Sequence, residues 1–197
     1  MYKINKTAGV DEVGRGCLAG PVFAAAVILN NNINTKDIKD SKKTPFLKRI
    51  LISEYIKKNS TYSIGTASVK EINKINILNA SLLAMQRALN KLKKKPNIAY
   101  IDGPFAPKNS KIKCKTFIKG DEKITCISAA SIIAKVSRDL FMIKLAKKYP
   151  KYSWDKNFGY GTDDHLRGLK KYGVTKHHRE KFYPVHKMLM GKARETQ

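Results

Sequence analysis

Two adjacent acids near the start of the chain, Asp11 and Glu12, are followed at once by the segment Gly14-Arg15-Gly16. A carboxylate that points into a folded interior is costly to desolvate, so acids at the edge of a strand usually bind a cation or stay in solvent. Glycines let the backbone approach a ligand closely, and an arginine suits contacts with phosphate. This combination indicates a metal-dependent enzyme that acts on a polyphosphate or a nucleic-acid backbone.

Two further acids stand at the ends of predicted elements. Asp102 follows the short apolar run 98–101, and Asp121 precedes the longest predicted helix. Hydrolysis of a phosphodiester by two divalent ions needs about four carboxylates, which hold the ions roughly 4 Å apart. Mg²⁺ prefers carboxylate, water and phosphate oxygens, so this chemistry requires no histidine or cysteine ligand.

The pattern of apolar residues predicts the elements that carry these acids. Strands are predicted at 7–13, 21–29, 61–69 and 98–101, the first two forming a β-hairpin. Helices are predicted at 44–58, 76–92, 127–149 and 163–172. Thr44 would cap the first helix, with Pro45 at its first helical position. A helix that leads into a strand ending on an acid is typical of α/β folds, which present catalytic groups at the carboxyl edge of the strands.

The chain is strongly basic, with 40 Lys and Arg residues against 15 Asp and Glu and a formal net charge of +25. These cations lie in short groups along the whole sequence, which is typical of a folded body with a basic surface. Nucleic acid is the commonest partner of such a surface. A membrane partner would require an exposed amphipathic helix or a lipidation signal, and neither is evident.

The length of 197 residues and the hydrophobic content of 42% predict one catalytic domain over residues 1–197, with a C-terminal helical extension from about 150 to 197. Three cysteines, Cys17, Cys114 and Cys126, are odd in number and lack paired spacing, so neither a disulfide framework nor a zinc site is indicated. No signal peptide and no apolar run of membrane-spanning length is recognisable. We therefore expect a cytoplasmic protein.

An ordered series of motifs in this chain resembles that of bacterial ribonuclease HII. The series comprises Asp11-Glu12-Val13-Gly14-Arg15-Gly16, Asp40-Ser41-Lys42-Lys43, Asp102-Gly103, Lys119-Gly120-Asp121, the segment 128–139, Gly159-Tyr160-Gly161-Thr162 and His177-His178-Arg179. The match covers nearly the whole chain, and several motifs in order are far more specific than any one. The resemblance implies an α/β protein of the ribonuclease H-like fold, with a central mixed β-sheet flanked by helices.

The resemblance also implies an activity. It implies an endoribonuclease that hydrolyses the RNA strand of RNA–DNA hybrids and incises 5′ of single ribonucleotides embedded in duplex DNA. Catalysis by two ions, Mg²⁺ or Mn²⁺, would leave 5′-phosphate and 3′-hydroxyl ends. No protein partner is implied, and we expect a monomer.

Carried over by motif, the resemblance assigns a role to individual residues. The metal-binding catalytic acids would be Asp11, Glu12, Asp102 and Asp121. Substrate would be bound by Gly14, Arg15, Gly16, Lys42 and Tyr160. The glycine-flanked segment would recognise the ribose 2′-hydroxyl at an RNA–DNA junction, and the tyrosine would stack on the neighbouring deoxyribose.

Several residues keep more than one interpretation. Tyr160 lies between two glycines, where an aromatic side chain often caps the edge of a core. Lys135 and Asp139 are four residues apart on a predicted helix and fit a surface ion pair as well as a functional role. The role of Arg138 is open, and the four histidines are left out of the catalytic set.

Two other protein classes share part of this pattern. Ribonuclease HIII has a similar opening motif, but it would show a long N-terminal substrate-binding domain and a glutamate where this chain has Asp121. A non-catalytic nucleic-acid-binding protein of the same fold is the alternative from another class. The presence of all four acids favours the enzyme.

Overall fold

The computed structural model describes residues 7–38 and 44–195. Its strands are β1 (Thr7–Val13), β2 (Val22–Leu29), β3 (Ser60–Ala67), β4 (Ile98–Asp102) and β5 (Lys113–Phe117). They form a sheet with the order β3-β2-β1-β4-β5. Strand β1 is antiparallel to β2 and parallel to β4, which is in turn parallel to β5. The predicted mixed sheet is therefore confirmed.

Helices connect and follow these strands. They are α1 (Phe46–Lys58), α2 (Val69–Lys91), α3 (Gly120–Lys123), α4 (Thr125–Lys148), α5 (Trp154–Asn157), α6 (Asp163–Tyr172) and α7 (Tyr183–Glu195), with short 3-10 helices at Lys36–Ile38 and Pro150–Tyr152. The predicted helical C-terminal part is present. In the part of the chain that the structure describes, no helix is both long and apolar enough to cross a membrane.

The chain divides into two compact units. The first contains the described residues of Met1–Val13, Phe23–Thr66 and Ser81–Ser137. The second contains those of Gly14–Val22, Ala67–Ala80 and Arg138–Gln197. The four predicted metal-binding acids belong to the first unit, whereas Tyr160 belongs to the second. The predicted start of a C-terminal extension near residue 150 stays a prediction.

Small residues let strand and helix pack closely in the first unit. Ala25 and Val27 of β2 pack with a run of buried residues on α4, from Ala129 to Val136. A side chain at Gly9 on β1 would overlap the backbone of Cys126 in the first turn of α4. Strand β1 therefore lies directly against the start of this helix, which fixes the position of the acid two residues later.

In the second unit the apolar cluster is built on aromatic residues. Trp154 is fully buried and Tyr152 nearly so, and their rings stack at 5.0 Å between centroids. Met142 and Ala19 pack against them. A neighbouring cluster joins Leu18 to residues of α6 and α7. Leu18 and Ala19, which lie in the loop between β1 and β2, are thus part of this core.

The predicted hairpin and the helix at 163–172 are confirmed, but the start of α1 is not. This helix begins at Phe46, and Pro45 itself is the N-cap, without a side-chain cap from Thr44. The ψ of 151° at Pro45 is extended rather than helical, so the proline stands one position before the helix. Its carbonyl accepts the first helical hydrogen bond, from the Arg49 N–H.

The start of α2 also differs from the prediction. The strand predicted to run to residue 69 ends at Ala67, because Ser68 and Glu71 form a capping box that starts the helix at Val69. Asn76, the predicted start of a helix, divides α2 with φ 64° and ψ 170°, and its Oδ1 accepts a hydrogen bond of 3.0 Å from the Asn79 N–H, so a second helical segment begins there as predicted. Strand β5 was not predicted.

Candidate active site

Asp11 lies near the end of β1 and is only 5% exposed. The parallel register pairs Val10 with Ile101, so the next residues on the two adjacent strands are Asp11 and Asp102. The carboxylate of Asp11 accepts a hydrogen bond of 2.7 Å from the Glu12 N–H and another from the Ser131 side chain on α4. Asp11 and Asp102 are thus neighbours on adjacent parallel strands, near the ends of β1 and β4.

Asp102 connects the end of β4 to α3. Its Oδ1 accepts hydrogen bonds from the backbone N–H groups of Gly120 at 2.7 Å and Asp121 at 3.3 Å. A carboxylate at the N-terminus of a helical turn is favoured by the turn's unpaired N–H groups. A Cβ at Gly120 would lie 2.7 Å from Cδ1 of Ile127 and 3.0 Å from Cβ of Phe117, so a larger residue there would require these side chains to shift.

Asp121 stands in the first turn of α3, next to these contacts. Lys119 precedes the turn in the left-handed region, with φ 54°. The Ser128 hydroxyl on α4 donates a hydrogen bond of 2.6 Å to the Asp121 carbonyl. Helix α3 is only four residues long, so these contacts fix the position of the Asp121 backbone.

The electrostatics of the first unit centre on Asp11. Burial raises its pKa well above the ordinary value, and the charges of Glu12 and Asp102 raise it further, while the Ser131 hydrogen bond opposes the shift. Within residues 7–38 and 44–195, no three His, Cys, Asp or Glu side chains form a ready-made metal cluster. A divalent cation would nevertheless suit this group, because it relieves the repulsion and the donors are oxygens.

The second unit contains the loop that follows β1. Gly14 has φ +93°, and a Cβ there would overlap the Arg138 side chain. Arg138 and Arg179 are both fully buried. Their guanidinium groups bind backbone carbonyls of this loop, while Arg15 and Gly16 are exposed. The role of Arg138, which the sequence left open, is therefore at least structural.

Tyr160 is 38% exposed and lies in a segment fixed by its backbone. Its N–H donates to the Asn157 carbonyl, and the preceding Gly159 carbonyl accepts hydrogen bonds from the N–H groups of Leu18 and Ala19. Its side chain hydrogen-bonds with Cys17, and burial raises the pKa of its phenol. The structure thus brings Tyr160 together with the loop after β1, and its exposed part is available to a ligand.

Two histidines that the sequence left unassigned lie in the buried centre of the second unit. His165 is fully buried; its Nε2 accepts a hydrogen bond of 3.0 Å from the Trp154 indole, and its Nδ1 lies 2.9 Å from the Tyr160 carbonyl. His178 is 1% exposed and precedes Arg179. His165 lies three and four residues before the buried Gly168 and Leu169 of α6, which is a helical spacing, and His178 belongs to the motif His177-His178-Arg179.

Comparison with known proteins decides the family. The sequence profile of the Ribonuclease HII family matches residues 8–186. The chain belongs to the ribonuclease HII family. It is 59% identical over 182 residues to the ribonuclease HII of Pelagibacter ubique strain HTCC1062, covering 92% of this chain and 98% of that protein. Membership makes the chain a nuclease, a hydrolase with ribonuclease H activity.

Solved structures of related enzymes share the fold. The crystal structure of ribonuclease H2 from Pyrococcus horikoshii OT3 matches with a TM-score of 0.82 and 28% identity, covering 95% of this chain and 99% of that one. The structure of Bst-RNase HIII in complex with Mn²⁺ matches with a TM-score of 0.71 and 17% identity, over 98% of this chain and 72% of that one. The latter likeness concerns the fold alone.

One predicted substrate-binding residue of this ribonuclease HII chain, Lys42, lies outside the described residues, as does its motif at 40–43. The other predicted site residues are described. The interpretation of Lys135 and Asp139 as a surface ion pair is wrong, because Asp139 is fully buried.

Proposed function

We propose that this chain is an endoribonuclease that hydrolyses the RNA strand of RNA–DNA hybrids and incises 5′ of single ribonucleotides embedded in duplex DNA. The products would carry 5′-phosphate and 3′-hydroxyl ends, and the protein would act as a monomer. The observation that carries the proposal is the buried carboxylate of Asp11 beside Asp102 and Glu12, in a family of nucleases.

Asp11, Glu12, Asp102 and Asp121 would hold divalent ions, Mg²⁺ or Mn²⁺. Such ions, when bound, supply an activated water and neutralise charge that develops on the phosphate. The fit rests on the chemistry of the donors: all four are carboxylates, and the most buried one is destabilised by its neighbours in its charged form. The fold neighbour that was solved with Mn²⁺ is consistent with this choice.

The protein's own groups prepare the acids for this role. The Ser131 side chain and the Glu12 N–H direct two hydrogen bonds at Asp11, which favours its ionised form and fixes its orientation. Two backbone N–H groups of the α3 turn fix the orientation of the Asp102 carboxylate. Asp11 and Asp102 are therefore oriented by hydrogen bonds from within the protein.

Substrate selection would be the task of the second unit. Gly14, Arg15 and Gly16 would recognise the ribose 2′-hydroxyl, which is the group that separates RNA from DNA. Tyr160 would stack on the adjoining deoxyribose. Lys42, which is not part of the second unit, would contact the nucleic-acid backbone. The net charge of +25 supports general affinity for a nucleic-acid backbone.

Three duplexes of one sequence test the proposal. One strand is all DNA, DNA with a single ribonucleotide, or a long stretch of RNA, and each duplex is incubated with Mg²⁺, Mn²⁺ or a chelator. We expect incision at the ribonucleotide and within the hybrid, with neither the all-DNA duplex nor the chelated reaction cleaved. Cleavage of the hybrid alone would indicate a ribonuclease HIII-like specificity, and binding without any cleavage would indicate a non-catalytic protein.

A further inference from the structure

Arg179 holds three carbonyl oxygens of the loop after β1. Its guanidinium donates hydrogen bonds to the carbonyls of Gly14 at 2.6 Å, Arg15 at 2.8 Å and Gly20 at 2.9 and 3.0 Å. The Arg179 side chain is fully buried, and this burial lowers its pKa to about 10. Because this pKa is still well above 7, the guanidinium is charged at neutral pH.

A second buried arginine holds the far end of the same loop. Arg138 donates to the carbonyls of Ala19 at 3.0 Å and Pro21 at 3.0 Å, and to that of Phe158 at 2.8 Å, two residues before Tyr160. A buried guanidinium is costly to desolvate, and an apolar side chain would fill the same space at lower cost. A guanidinium offers five N–H donors in a rigid planar group, so an arginine can fix the orientation of several carbonyl groups at once.

The direction of the carbonyls determines the direction of the N–H groups. In a planar trans peptide, the C=O of one residue and the N–H of the next point to opposite sides of the chain. The described chain contains no cis peptide. Because the carbonyls of Gly14 and Arg15 point to Arg179 in the interior, the N–H groups of Arg15 and Gly16 point the other way. Both of these residues are exposed.

We propose that Arg179 is a positioning residue for ribose recognition, which turns two loop carbonyls inward so that the N–H groups of Arg15 and Gly16 face the sugar and phosphate of the substrate. This inference rests on the proposed function, and it names the residue that sets the geometry of that recognition. Lysine carries the same charge but lacks the planar fork, so it cannot satisfy the three carbonyls in the same geometry.

The test measures binding rather than cleavage. Arg179→Lys is introduced into the Asp102→Asn protein, and its dissociation constants are measured for a duplex with one ribonucleotide and for the all-DNA duplex of the same sequence. We expect the preference for the ribonucleotide to fall at least about tenfold, which corresponds to two lost or misdirected hydrogen bonds, while affinity for the all-DNA duplex is unchanged. Arg167→Lys, at an exposed residue paired with Asp164, is the matched control and keeps the preference.

Each other outcome has one interpretation. If Arg179→Lys folds and retains the preference, Arg179 is not a positioning residue. An equal loss of affinity for both duplexes indicates a purely structural role and also overturns the inference. If the parent Asp102→Asn protein itself shows no preference, the proposed function fails and the inference falls with it.

A measurement on the parent protein covers the case in which Arg179→Lys does not fold. Amide hydrogen exchange of Arg15 and Gly16 is followed with each duplex bound. The inference requires slower exchange at these two amides with the ribonucleotide duplex than with the all-DNA duplex. Identical exchange with both duplexes would overturn it.

Discussion

His165 and His178 are joined by a contact of 3.1 Å between their Nε2 atoms, and both side chains are buried. The Tyr160 carbonyl can only accept, so the proton of His165 is on Nδ1 and its Nε2 is an acceptor. His178 must then donate from Nε2, which leaves its Nδ1 to accept from the Thr175 N–H at 3.0 Å. The one lone pair of His165 Nε2 is shared between the His178 Nε2–H and the Trp154 indole N–H at 3.0 Å, and this arrangement requires both rings to be neutral.

This pairing predicts that the fold loses stability as the pH falls. Burial lowers the pKa of His165, and burial with the nearby His165 lowers that of His178 to about 3, from an ordinary value of 6.5. The unfolded chain therefore binds more protons than the folded one below about pH 6.5. Between these values His178 removes up to about 1.4 kcal/mol of unfolding free energy for each unit by which the pH falls, and His165 contributes in the same direction. Urea unfolding from pH 7 to pH 4 measures the slope.

The variant His178→Gln isolates this contribution, because glutamine does not titrate. We expect the variant to be about 1–3 kcal/mol less stable than the wild type at pH 7, because buried hydrogen bonds are lost. The two stability curves should converge toward pH 4. His186→Gln, at an exposed position of α7, is the control and should parallel the wild type. A gap that stays constant with pH would contradict the proposed protonation.

Asp102→Asn should abolish cleavage without unfolding the protein. Its amide oxygen can still accept the hydrogen bond from Gly120, while the lost charge removes a metal-binding group and relieves Asp11. We expect a loss of at least about 100-fold in rate, because metal-ion catalysis contributes several kcal/mol, and an unchanged or higher melting temperature. Asp37→Asn, at an exposed acid 3.9 Å from Lys48, is the control. A near wild-type rate at saturating Mg²⁺ would remove Asp102 from the site.

Two alanine substitutions separate folding from binding in the loop. Among residues 7–38 and 44–195, a Cβ at Gly16 would meet no atom within 4 Å apart from its chain neighbours, whereas one at Gly14 would overlap Arg138 and require φ +93°. We expect Gly16→Ala to leave the unfolding free energy within about 0.5 kcal/mol of the wild type and to weaken binding of a ribonucleotide-containing duplex. Gly14→Ala should lower stability by roughly 1–3 kcal/mol. Thermal unfolding and fluorescence anisotropy measure the two effects; unimpaired binding by Gly16→Ala would argue against close substrate approach there.

Tyr160→Ala should weaken incision at a single embedded ribonucleotide more than cleavage within a long hybrid. In the hybrid the downstream sugar is not a deoxyribose, so the proposed stacking partner is missing. A stacking contact of about 1–3 kcal/mol corresponds to roughly a tenfold to hundredfold difference in kcat/KM. Tyr160→Phe keeps the ring and loses only the hydroxyl that contacts Cys17, so it should retain the selectivity. Equal losses on both substrates would leave Tyr160 with the role of capping the core.

The elements that carry the acids could be predicted because their signals are local. The apolar run before Asp102 and the glycine-rich turn after Glu12 set the ends of β4 and β1 without reference to distant residues. Strand β5 gave no such signal, since lysines alternate along its KCKTF sequence and none of its side chains is buried. Charged side chains suit an edge strand, which is where β5 lies.

The two arginines that fix the loop after β1 were harder to predict, because the atoms to which they donate hydrogen bonds are backbone oxygens. A sequence shows that Arg138 and Arg179 are cations, and a cation predicts an exposed position. Their acceptors are carbonyl groups, which every residue has, so no residue type marks the contact. The capping box of Ser68 and Glu71 was readable in principle, but the β-branched residues around it favoured a longer strand.

Arg138 and Arg179 fix the main chain of the loop after β1, so the specificity of this loop could change through its exposed side chains alone. All of their acceptors are main-chain oxygens, so replacing the exposed side chain at Arg15 removes none of these hydrogen bonds. Position 15 can thus vary while the backbone around it stays constant. A library randomised at this one codon would sample new sugar and base preferences on an unchanged scaffold, which makes the loop a starting point for engineering altered nucleases.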